Sequence, residues 1–179
     1  MKETKNITAI KDKKVLSAIP TLLRKHYGDQ MANIWVFGVN TGLSISELLN
    51  IKMENITVKV LNPIDSRKNL LVAFESKKAR NRSSRQILLN SKASDIVNSI
   101  RKAHPNAIYL FQSYRSRNVS NRAAGPITRQ SVSQAFKEVG EILGIELTPN
   151  SMRKTYFNLS LEVFVGQNLV DLARQNPRF

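Results

Sequence analysis

The chain has 179 residues, 41% of them apolar, enough for one domain with a buried core and too many for a disordered tail. Lys and Arg number 28 against 13 Asp and Glu, so the net charge is +15 and the first partner class implied is a polyanion, above all nucleic acid. Without Cys there is no disulfide or thiolate chemistry, and His26 and His104 stand far apart without a carboxylate cluster, so neither a metal nor any other cofactor is expected.

The start, "MKETKNITAIKDKK", lacks the apolar core of a signal peptide. No apolar run approaches the roughly 20 residues of a membrane span, so the expected location is the cytosol, including a bacterial nucleoid, with no membrane partner. Asp12 is placed to cap a first helix in "KDKKVLSAIPTLLRKHYG", with Val15, Ile19, Leu22 and Leu23 on one side. Pro20 is expected to bend or split that helix. "DQMANIWVFGVNTG" is apolar nearly all round from Ile34 to Val39, which predicts a buried central helix ending at Gly42, with Trp35 in the core. "SISELLNIKMENI" predicts a short helix capped by Ser44 or Ser46, with Ile45, Leu48 and Leu49 inward and Glu47 as a structural partner near its start.

From Thr57 the period changes to that of strands. "ITVKVL", "NLLVAFES" and "RQILLN", separated by turn-rich polar segments, predict three short antiparallel strands. Helices return at "SKASDIVNSIRKAH" and at "TRQSVSQAFKEVGEILG", where Val132, Phe136, Val139 and Leu143 keep helical spacing and Gly140 or Gly144 weakens or ends the run. Thr128 is a suitable cap for the second. A last helix is expected from about Asn150 to Leu161, followed by "GQNLVDLARQN". The fold class is therefore α+β, mainly helical, a single domain over residues 1–179 with a small three-stranded antiparallel sheet.

The order of helix, "TGLSISELL" turn, three-stranded sheet with a Lys in its last hairpin, helices, then "TPNSMRKTYF" resembles the catalytic domain of tyrosine recombinases, the phage integrase family. The match is an ordered series over almost the whole chain, which is far more specific than either box alone. The resemblance implies attack by a Tyr hydroxyl on a DNA phosphodiester, giving a phosphotyrosine that a 5′-hydroxyl later resolves. Two Arg then clamp the charge on the non-bridging oxygens, and a Lys protonates the leaving oxygen.

Carried over residue by residue, the first Arg belongs where Ser44 stands. Lys77 falls at the position of the leaving-group acid, with Lys78 adjacent. Asn150 takes the place of the His that opens the second box, Arg153 matches the second clamp, and Lys154 follows it. The next His or Trp has no convincing match, Asn176 and Arg178 being the nearest. The resemblance puts the nucleophilic Tyr beyond Phe179, and it implies that the family's N-terminal core-binding domain and C-terminal nucleophile segment are both absent. Tyr156, three residues after Arg153, reads as core or groove lining, while Tyr27, Tyr109 and Tyr114 have no family position.

Two basic clusters are the expected DNA contacts. The first holds Lys77, Lys78, Arg80, Arg82 and Arg85, with Arg67 and Lys68 before it and Glu75 as its single acid; the second holds Arg115, Arg117, Arg122 and Arg129 without an acid. Arg153 and Lys154 would add phosphate contacts in a groove that no longer performs chemistry. The leading expectation is a double-stranded-DNA-binding, recombinase-like protein without functional catalytic residues, acting as accessory factor or regulator on a phage, plasmid or integrative element. The alternatives are a truncated form of an active integrase, and an interaction module that binds a full-length recombinase or itself.

Overall fold

A computed structural model describes residues 9–60, 68–75, 84–114 and 123–175, with side chains described at 9–58, 70–73, 86–114 and 123–163. Helix α1, Lys13–Tyr27, begins where Asp12 accepts a hydrogen bond from the Lys14 N–H at 2.7 Å. Pro20 lies inside the helix and does not split it. The hydrogen bond lost at a helical Pro, with its ring clash, costs on the order of 3 kcal/mol. Ile19 and Leu23, in the turns on either side of Pro20, are fully buried, and their packing offsets this cost.

Gly28 joins α1 to α2, Asp29–Thr41, which folds back along it. Ala32, Ile34, Trp35 and Phe37 of α2 are all buried, so this helix is the core's axis, touching α1, α3, α4 and α6. Trp35 meets Phe136 edge to face with centroids 5.6 Å apart, and Phe37 meets Phe111 the same way at 5.8 Å. Helix α3, Ile45–Leu49, buries Ile45, Leu48 and Leu49 as the sequence predicts, and a 3-10 turn at Met53–Asn55 leads into the sheet.

Strands β1 (Ile56–Val60), β2 (Lys68–Glu75) and β3 (Ser84–Leu88) pair antiparallel in the order β1-β2-β3, with Ile56 opposite Val72 and Val72 opposite Ile87. Ile56, Leu70 and Val72 are buried, whereas Val58, on the same face as Ile56, is 55% exposed, so the sheet runs out past the core. Arg101 anchors it, donating from Nη2 to the Ile56 carbonyl at 2.7 Å.

Helix α4, Ser91–Ala103, is capped by Asn90, and α5, Arg129–Leu143, by Thr128. Gly140 lies inside α5, where a Cβ would stand 2.7 Å from the Ile145 carbonyl oxygen, so only Gly lets the following loop close this tightly. Gly144 ends the helix in the left-handed conformation.

Helix α6 spans Pro149–Gln175, longer than the sequence suggests. Gly166 costs a helix interior only about 1 kcal/mol and does not stop it. No helix among the described residues is long and apolar enough to cross a membrane.

Candidate nucleic-acid interface

The two sequence boxes meet at one end of the domain. In the first, the Thr41 hydroxyl is buried and donates to the Phe37 carbonyl at 2.8 Å, and Gly42 turns the chain out of α2 at φ +66°. Leu43 is buried, and Ser44 then starts α3. Ser44 and Glu47 form a capping box: the Glu47 N–H donates to Ser44 Oγ at 3.3 Å, and the Ser44 N–H donates to Glu47 Oε2 at 2.9 Å. The Ser44 hydroxyl also donates to Glu47 Oε2, at 2.6 Å. The position that the resemblance gives to a charge clamp is occupied by a short hydroxyl spent on its own helix.

The second box opens α6. The Thr148 N–H donates to the buried Ser151 hydroxyl at 3.1 Å, fixing the entry of the chain. Met152 lies under α2, so close that a Cβ on Gly38 would be 2.5 Å from its Sδ. Thr155 is buried and accepts from the Ile10 N–H at 3.1 Å, across 145 residues of sequence. Tyr156 is half-buried against Gly42, where a Cβ would stand 2.6 Å from Cε1 of its ring. Asn150, Arg153 and Lys154 are exposed on α6, and the Arg153 guanidinium sits 5.6 Å from the Phe157 ring centroid.

Of the expected contact residues, Arg129 is exposed at the first position of α5, after the Thr128 hydroxyl, which accepts from the Ser131 N–H at 3.1 Å. Arg85 is on β3, opposite Phe74 of β2. Its side chain, and Arg67, Lys77, Lys78, Arg80, Arg82, Arg115, Arg117, Arg122, Asn176 and Arg178, lie outside the described residues. In the sequence, the first basic cluster falls between β2 and β3.

Other Tyr residues are engaged elsewhere. The Tyr27 hydroxyl donates to Glu138 Oε2, whose other oxygen accepts from Gln134 at 2.6 Å. That hydrogen bond, partial burial and the nearby charges of Glu138 and Glu141 push the Tyr27 hydroxyl up to about 12. The same bond holds the Glu138 carboxyl below its ordinary value. Tyr114 stacks on His104, ring centroids 4.4 Å apart, at the opposite end of the domain, beside a cleft of about 510 Å³ lined also by Asp29, Asn33 and Ser99.

Sequence reasoning missed one tie near the boxes. Asn90, besides capping α4, donates from its amide to Asn40 Oδ1 at 2.8 Å, joining the exit of β3 to the end of α2. Its only local signal is the capping position; the contact with Asn40 spans 50 residues.

The family model described as "Phage integrase family" matches residues 3–160. Over 160 residues the chain is 28% identical to tyrosine recombinase XerA of Pyrococcus furiosus, covering 88% of this chain and 48% of that protein. Among solved structures, a XerA recombinase superposes with a TM-score of 0.59 at 17% identity, over 87% of this chain and 52% of that one. A XerH site-specific recombinase bound to its difH substrate gives 0.57 at 13%, over 86% and 43%. The Tn1549 transposon integrase in complex with a circular intermediate DNA gives 0.60 at 15%, over 86% and 53%. The chain thus spans about half the length of these relatives, and the structures share its fold.

Proposed function

Because the chain belongs to the phage integrase family, we propose that it is a tyrosine-recombinase-like DNA-binding protein that does not cleave DNA, serving as an accessory factor or regulator on a mobile element. The observation that carries this reading is Ser44. A clamp at that position needs a long cation that reaches a phosphate, and the side chain present is a neutral hydroxyl bonded to Glu47.

Losing one such donor typically costs on the order of 3 to 4 kcal/mol of transition-state stabilisation. At the head of the second box, Asn150 offers a carboxamide, which can bond a phosphate but cannot exchange a proton near neutral pH. Both substitutions spare binding. Arg129, Arg153 and Lys154 remain exposed cations on the family's framework, and the +15 charge favours a polyanion. DNA as the partner is further supported by the Tn1549 integrase, which is described in complex with a circular intermediate DNA.

The test is binding to a suicide-nicked duplex and to a random duplex across a salt series, with the same samples run on denaturing gels. Salt-sensitive binding without a covalent adduct is expected. An adduct would overturn the loss of cleavage, and the absence of binding would overturn the DNA reading. Reversing the charges of Arg80, Arg82 and Arg85 together should weaken binding and flatten its salt dependence. An unchanged salt slope would remove this hairpin from the interface.

A further inference from the structure

We propose that Lys11, Lys13 and Lys14, at the entrance to α1, form an additional cluster that contacts the DNA backbone alongside the two boxes; this rests on the DNA-binding reading above. The first observation is placement. The buried bond from the Ile10 N–H to Thr155 Oγ1 pins the start of the chain's first helix onto α6, and the next α6 residue, Tyr156, packs against Gly42 at the end of α2. Two consecutive residues of α6 therefore gather the beginning of α1 and the end of α2 at one place. Lys11 follows Ile10 directly, and Lys13 and Lys14 are in the first turn of α1. All three are exposed.

The second observation is that the fold's own electrostatics disfavour these cations. The first turn of a helix carries partial positive charge from its unpaired N–H groups and favours carboxylates. Here it holds two Lys and no acid, Asp12 being used as the cap. Among the described residues no carboxylate pairs with Lys11, Lys13 or Lys14.

Of the described acids on α3 and α6, Glu47 is engaged in the capping box of α3 and Glu162 accepts from Asn158. Among the described residues a local rule is broken without compensation, which is the pattern of a site shaped for an outside partner. Continuity with the boxes and the sign of the charge make that partner the phosphate backbone of duplex DNA, read without regard to base sequence.

A matched pair of triple variants tests this. One is Lys11→Gln/Lys13→Gln/Lys14→Gln. The other is Lys25→Gln/Lys102→Gln/Lys137→Gln, with all three positions toward the far end. Lys25 is about 18 Å along α1 from Lys13, Lys102 is in the last turn of α4 near His104, and Lys137 adjoins Glu138, the partner of Tyr27.

Each set takes three charges from the same chain, so a purely global field effect would change both alike. Binding to a random-sequence duplex is measured from low to physiological salt. The first triple should bind at least about tenfold more weakly at low salt and lower the salt slope by about 2 to 3. Its melting temperature should be unchanged or raised, since cations leave the positive end of α1. The second triple should keep a slope close to that of the parent.

Equal losses in the two triples, or an unchanged slope in the first, would overturn the cluster while leaving the DNA reading intact. A parent chain without salt-sensitive binding would overturn the DNA reading itself.

Discussion

Tyr156 lies against Gly42, its ring filling the space a Cβ on that glycine would need. Through this contact α6 is seated on the turn that leads into α3, and the two boxes keep their relative position. Gly42→Ala should therefore cost twice: about 1 to 3 kcal/mol for a non-Gly residue at φ +66°, and about 1 to 3 kcal/mol for the steric conflict. Urea denaturation with the m-value held as a check is the measurement. In a cycle with Tyr156→Ala, the steric part should vanish and leave a coupling of roughly 1 kcal/mol or more. Strict additivity would mean that the ring does not set the cost.

The capping box makes a separate prediction about Ser44. Ser44→Ala should lower stability by about 1 kcal/mol, while Ser44→Thr, which keeps both the acceptor for the Glu47 N–H and the hydroxyl donor to Glu47 Oε2, should lose less. Ser44→Arg, the residue the family resemblance puts there, should cost as much as the Ala variant because its guanidinium cannot accept a hydrogen bond. Thermal melts of the three variants decide this, and an Arg variant as stable as the parent would show that the cap contributes little.

The bond between Tyr27 and Glu138 should leave a pH signature. The folded state raises the Tyr27 pKa from 10.0 to about 12, so its contribution is fully present below pH 10 and is lost as pH climbs toward 12. Glu138 is shifted the other way: its pKa is depressed in the folded state, so its share is present above the ordinary value of 4.5 and is lost as pH falls through the lowered one. The same hydrogen bond is the largest cause of both shifts, so the two are not additive. The stability difference between the parent and Tyr27→Phe, followed by denaturation from pH 3 to 12, should be flat in the middle and shrink at both ends. A difference independent of pH would exclude this bond as its source.

What could be read from the sequence was local. Asp12, Ser44 and Thr128 announce helix starts because a cap acts on N–H groups two or three residues away, and Gly42 and Gly144 announce ends for an equally short-range reason. The three strands followed from a change of period over five to eight residues.

Pro20 does not split α1 because its local cost is outweighed by the burial of Ile19 and Leu23, a tertiary effect. The length of α6 was missed for the converse reason, since a Gly reads as punctuation yet costs too little to end a helix by itself. At the interface, the boxes were legible as strings, but the contacts that join them span more than a hundred residues. Neither Ile10 with Thr155 nor Gly42 with Tyr156 has a periodic signal.

The amide of Asn90 has a consequence for which residues its position can tolerate. As a cap it must accept from the Ala93 N–H, and as a tie it must donate to Asn40, so one short side chain needs an acceptor and an NH₂ donor at fixed separation. Asp would keep the first and lose the second, Ser has too short a reach to replace both, and Gln moves the amide one methylene too far for the cap. An ordinary helix cap admits four or five residue types, whereas this one narrows to a single amino acid, and any exchange there should loosen the base of the basic hairpin from the helix that carries the first box.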